Sequence, residues 1–260
     1  DIVEGREICG EIIEHDILKL KFTPDGKALI AACDAGTNVA ILYFKVSNVS
    51  GLTLDKKKCF DIPNEDNKAV SVLDFDNTGK RLVIAMGNAA MAYDMSKASP
   101  GKTLRVYTDD RLNFLSAVTQ IQGKVVVADS SKLMSFNNHG AVEFTMEYRD
   151  ENSNSTADPL LVTGYVKSNR NSYPGKYVVI ACDKSLVVFK VRESARHESS
   201  PWTVYQKFTE KENYTAIHFE SYEVHELSTL TEEHFLVTCT ANRSVKVRNL
   251  KLIDLMQPDE

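Results

Sequence analysis

Apolar positions along this chain fall into short strands set off by glycine turns. One unit, a Gly-Lys turn running into an apolar strand, recurs as Gly26 to Ala32, Gly79 to Ala85, Gly123 to Ala128 and Gly175 to Ala181. The four glycines are 53, 44 and 52 residues apart, close to the roughly 40 to 50 residues of one four-stranded propeller blade. A fifth copy, Phe235 to Cys239, lacks the Gly-Lys pair.

Other strands flank each copy. Ahead of it, Ile17 to Phe22 and Val70 to Phe75 alternate with a period of two, the signature of a strand with one buried face. Behind it come Val39 to Val46, Ala90 to Met95, Ser185 to Val191 and Ser244 to Leu250. A more polar fourth strand closes the unit, as in Thr103 to Thr108 and Trp202 to Phe208. Pro24-Asp25-Gly26 and Asn77-Thr78-Gly79 supply the residue types that tight reversals require. Helical periodicity is absent over any useful length.

The pattern therefore predicts an all-β fold, a β-propeller with about five recognisable four-stranded blades, either complete or a segment of a larger ring. It reads as a single domain over 1–260, with blade units at 11–63, 68–110, 111–148, 158–209 and 213–256. Phe22, Leu29, Val72, Val83, Val126, Val179 and Leu236 are the expected core positions. Between Met146 and Gly175 the pattern breaks into two polar loops, the second covering Lys167 to Ser172, around one strand at Pro159 to Val162. A third polar loop runs from Arg192 to Pro201.

Composition narrows the function. With 43% hydrophobic and 26% charged residues the chain is globular rather than disordered or fibrous. A formal charge of -5 argues against nucleic acid held by bulk electrostatics. The longest apolar runs, such as Ala28 to Cys33, are far shorter than the roughly 20 residues of a spanning helix, so no membrane span is expected. No secretory signal is visible, and the five cysteines, Cys9, Cys33, Cys59, Cys182 and Cys239, form no Cys-x-x-Cys pair. They read as reduced thiols in a cytoplasmic or nuclear protein. The sequons at Asn48, Asn154, Asn213 and Asn242 are read as chance tripeptides.

No catalytic arrangement emerges, and neither a cofactor nor a metal is expected. Nucleophile elbows, phosphate loops and zinc-helix motifs are missing. His218 and His225 read as surface or hydrogen-bonded histidines, and His15 as a structural donor to an Asp of its blade. Cys33, Cys182 and Cys239 end equivalent second strands and read as small buried hydrophobes. Lys56-Lys57-Lys58 reads as a solvated run. In the last strand, Ser244, Lys246 and Arg248 alternate with Val245 and Val247, which predicts an outward basic face. The principal candidate binding site is the basic set Lys167, Arg170, Arg192, Arg196 and His197 on the interrupting loops, opposed by Glu193. Its expected partner is an acidic helix or peptide.

At several of these positions the sequence resembles the WD-repeat family. Asp1 to Ile8 looks like an outer strand, and His15 precedes Phe22-Thr23-Pro24-Asp25-Gly26 at the family's spacing. Tyr93-Asp94-Met95 and Arg248-Asn249-Leu250 stand where the Trp-Asp-aliphatic signature would be. Tyr177 to Val191, then Phe235 to Leu250 closed by Lys251 to Leu255, is similar to the closing blades of the Lethal giant larvae and tomosyn family. The Asn113-to-Phe144 unit, with Asn138 to Val142 after its third strand, is compatible. That resemblance implies a non-catalytic scaffold binding SNARE proteins or small GTPases in exocytosis and polarity. The alternative is a WD-repeat subunit of a nuclear or coat assembly, as in ribosome biogenesis, the nuclear pore or a vesicle coat. A propeller enzyme is the third class.

Overall fold

The computed structural model describes residues 13–47, 51–64, 66–96, 100–148, 158–167, 172–191, 202–226 and 229–250; within these, residues 162–167, 172–176, 221, 223–226 and 229–232 are described by their backbone alone. The chain divides into two compact units, Asp1–Asp109 and Asp110–Glu260.

The first unit holds two antiparallel sheets. One is built from β1 (Asp16–Phe22), β2 (Ala28–Asp34) and β3 (Asn38–Ser47), with β4 (Gly51–Leu54) and β5 (Phe60–Pro63) laid end to end along β3. The other runs β6 (Val70–Phe75), β7 (Arg81–Met86), β8 (Ala89–Asp94) and β9 (Lys102–Tyr107) in chain order. Alternation along each strand sends Ile30, Ile41 and Ile62 from the first sheet and Phe75, Leu82, Ile84 and Tyr93 from the second into one buried cluster. An ion pair of 2.8 Å between Lys21 and the buried Asp74 also joins the two sheets.

The repeat seen in the sequence is a repeat of turn geometry. Gly26 N–H donates to the Thr23 carbonyl and Gly79 N–H to that of Asp76. Both glycines sit in the left-handed region, at φ 69° and 67°, where a side chain is costly. In the second unit the tight turn after the corresponding strand places Gln122 and Gly123 at φ 48° and 77°.

That unit begins with a sheet of β10 (Ala117–Ile121), β11 (Lys124–Ala128), β12 (Lys132–Phe136) and β13 (Val142–Glu147). Next come β14 (Leu160–Lys167), β15 (Ser172–Cys182), β16 (Ser185–Val191) and β17 (Trp202–Thr209), followed by β18 (Tyr214–Glu226), β19 (Thr229–Thr240) and β20 (Val245–Asn249). These last seven form one sheet in the order β17-β16-β15-β14-β18-β19-β20. The β14–β18 junction is parallel and confined to Val166 with Ser221 and Lys167 with Tyr222. Two blade-like sheets are thus stitched at their strand tips, the second with three strands among the described residues. Val126 of β11 packs with Val178, Phe189 and Trp202 in a cluster between β10–β13 and β14–β17, and Tyr177, Val179, Phe219 and Leu236 form another between β14–β17 and β18–β20. Antiparallel sheets of this strand order, packed face to face within each unit, are the blades of a β-propeller.

Two expectations change. Lys167 to Ser172 is not a loop throughout, because β14 and β15 run on until Lys167 pairs with Ser172. The expected core also loses Phe22, which is 56% exposed; Val83, Val126, Val179 and Leu236 are fully buried, and Leu29 and Val72 are half-buried. The register explains Phe22. It lies opposite Leu29, on the face of the first sheet turned away from β6–β9, while Lys21 takes the inner position facing Asp74.

Candidate protein-interaction site

Of the predicted basic set, Arg170, Arg192, Arg196 and His197 lie outside the described residues. Lys167 closes β14 with its backbone paired to Ser172 and Tyr222. Whether this set comes together as a site therefore lies outside the described residues.

The last strand reverses the expected polarity. On β20 the basic side chains lie on the face that meets Glu210, Lys246 still exposed: Arg248 donates from Nη2 to Glu210 Oε1 at 2.5 Å and from Nη1 to Thr238 Oγ1 at 2.8 Å. Lys246 reaches the other oxygen of Glu210 at 2.5 Å, and the Arg248 guanidinium lies 4.7 Å from the Phe208 ring centroid. Glu210 follows β17, so one carboxylate tethers the outer strand of one blade to the third strand of the next. Sequence alternation alone could not say which face of β20 meets that carboxylate.

Val245 and Val247 consequently face outward, 63% and 65% exposed. Pairing places them opposite Cys239 and Val237, and Phe235 continues the same face at two-residue spacing. An apolar sheet face is left without a covering element among the described residues. In the other unit the first sheet shows a comparable face, with Ile17, Leu20 and Phe22 exposed beside the buried Ala31, Cys33 and Phe44. Contiguous exposed apolar surface of this kind marks protein contact sites.

Bonding between Glu210 and Lys246, and secondarily Arg248, holds the Glu210 carboxyl below its ordinary value of 4.5 against the opposing effect of burial. A group whose folded pKa is depressed stabilises the fold above its unfolded pKa and loses that contribution as pH falls through the folded value. Glu210→Ala should cost about 1 to 2 kcal/mol at neutral pH, less than the 3 to 5 of a fully buried pair because these side chains keep some solvent contact. Denaturant titrations should show the difference between wild type and variant shrinking below pH 4.5; a constant difference would assign the loss to packing.

Other sequence candidates resolve into structural roles. Tyr93 and Asp94 end β8 with Met95 buried, and Arg248 and Asn249 end β20 with Leu250 buried, the strand ends that the degenerate signature occupies. Burial pushes the Tyr93 hydroxyl up to about 12. Asp129, fully buried, caps the β11–β12 turn by accepting from the N–H groups of Asn113, Ser131 and Lys132. His15 is exposed and precedes β1, whose every residue is exposed. His218 is exposed, 3.1 Å from Glu220. Cys33 and Cys182 are buried and Cys239 half-buried. No cluster of His, Cys, Asp and Glu suited to a metal occurs among the described residues, and no helix there is long and apolar enough to cross a membrane.

No protein-family model matches the chain. No curated protein matches it either. Solved structures do. The structure of U3-55K, a WD-repeat protein, superposes with a TM-score of 0.58 at 15% identity, over 93% of this chain and 63% of that one. A functionally unknown protein from Desulfotomaculum acetoxidans superposes with a TM-score of 0.52 at 11% identity, over 91% of this chain and 70% of that one. The fold is a propeller fold. At these identities the likeness extends to the fold and no further, and the chain spans less than two thirds of the length of U3-55K.

Proposed function

We propose that the protein is a non-catalytic interaction scaffold of WD-repeat type, working as a subunit of a larger assembly. The observation that carries this reading is the outward apolar face of β18–β20. A blade spends apolar side chains on its neighbour, yet here Val245 and Val247 stand in the open while Lys246 and Arg248 of the same strand pair with Glu210. Such a surface is suited to burial against another protein.

A nuclear or coat assembly and the exocytic setting both suit such a scaffold, and the likeness to U3-55K, which reaches the fold alone, does not choose between them. Binding to SNARE proteins or small GTPases rests on the sequence resemblance of Tyr177 to Val191 and Phe235 to Leu250 alone. Proximity labelling followed by mass spectrometry separates the two. Nuclear or coat assembly subunits as the dominant neighbours support the first setting; syntaxin-type proteins or GTPases support the second. Stoichiometric conversion of a small molecule by the purified chain would overturn the scaffold reading itself.

A further inference from the structure

The outermost strand of the first sheet is broken. The upper part of β3 pairs with β4, from Phe44 with Leu54 to Ser47 with Gly51, and the lower part with β5, from Asn38 with Pro63 to Ile41 with Phe60. Between them Asp55 to Cys59 leaves the sheet and winds one 3-10 turn, Lys56–Lys58.

This excursion is anchored at both ends. Asp55 N–H donates to the Tyr43 carbonyl at 2.8 Å. The Tyr43 N–H, which a strand carbonyl would normally receive, donates instead to Cys59 Sγ at 3.5 Å, and that thiol donates to the Asp55 carbonyl at 3.4 Å. Burial pushes the Cys59 thiol up, so it keeps the proton that the second bond needs. Lys58 N–H closes the turn onto the Asp55 carbonyl at 2.9 Å, and its ammonium lies 4.2 Å from the Tyr43 ring centroid, a cation–π distance.

The turn and strand enclose an open groove of about 720 Å³ lined by Lys45, Leu54, Asp55, Lys56, Lys57 and Lys58. Four cations face a single carboxylate. That carboxylate is already engaged, since Asp55 holds Lys45 at 2.9 Å, and Lys45, first among its partners, keeps it below the usual carboxylate range. Lys56 and Lys57 are exposed. Leu54 and the lysine stems give the groove an apolar floor.

We infer that this groove captures a short acidic segment of a partner protein, its carboxylates meeting Lys56 and Lys57 and an apolar side chain resting on Leu54. The inference rests on the scaffold reading and names one of its contact sites. A peptide fits better than a nucleic acid, because the basic surface is one groove wide on a chain of net charge -5, whereas phosphate backbones are held by extended basic tracts. At physiological salt, charges beyond roughly 8 Å are largely screened, so the local excess of lysine governs a ligand seated in the groove.

The test is fluorescence anisotropy with a labelled peptide of aspartate and glutamate around a central leucine, and a labelled single-stranded oligonucleotide as competitor class. The protein is the full chain as wild type, as Lys56→Glu/Lys57→Glu, and as Lys184→Glu/Lys207→Glu on the other unit. The groove reversal should weaken peptide binding at least about tenfold, with binding falling as salt rises, while the control pair stays within about twofold. Melting curves should coincide, since the reversed side chains are solvated. Equal binding by wild type and groove variant overturns the site, as does tighter binding of the oligonucleotide than of the peptide. Partner capture measured in parallel separates the claims. A chain that captures partners but not the peptide loses only the groove, and one that captures neither loses the scaffold reading too.

Discussion

Replacing Phe189 by alanine should destabilise the protein by about 3 to 5 kcal/mol, the range for deleting a fully buried aromatic ring from a packed core. Phe189 is 1% exposed. Its ring lies edge-on to Phe144 at 5.9 Å and to Trp202 at 5.8 Å, and those two rings stack on each other at 4.9 Å. Phe144 comes from β13, Phe189 from β16 and Trp202 from β17, so the triad fastens adjacent blades and cannot close over the cavity without moving two sheets. Urea titration checks this. A loss under 1 kcal/mol would mean that the sheets repack freely, contrary to the fixed packing of the three rings.

Gly101→Ala should cost about 2 to 4 kcal/mol, combining a left-handed backbone penalty with overpacking. Gly101 has φ 76°, and a Cβ built there would overlap the Phe60 side chain. That ring cannot swing aside cheaply, because it packs on Tyr93 with centroids 5.4 Å apart. The compensating double variant Gly101→Ala/Phe60→Leu should recover part of the loss. Thermal unfolding of the pair settles it, and the absence of any effect in the single variant would contradict the described approach of Gly101 to Phe60.

Much of the fold was legible because its signal is local. Gly26 and Gly79 announce turns that need a positive φ, and Val83, Val126 and Val179 sit in strands buried on both faces, where a continuous apolar run admits few alternatives. Face assignment was harder. Phe22 and Lys21, like Val247 and Lys246, differ by one position, and alternation fixes only that they point in opposite directions. Which of them meets the neighbouring blade is decided by single carboxylates, Asp74 and Glu210, contributed from other strands. The lysine run reads as merely solvated in the sequence for a related reason. Lys56 to Lys58 is an unremarkable charge run until Cys59 is seen to stand in for a strand carbonyl and hold it in place.

The proposed capture of protein through the face left open on β18–β20 can be measured by quantitative affinity capture with the wild-type chain and with Val245→Glu/Val247→Glu. Both valines are solvent-exposed, so the variant should unfold within about 0.5 kcal/mol of wild type. Partners recovered in stoichiometric amount with the wild-type chain should be lost with the variant. Recovery of the same partners in the same amount by both chains would contradict it.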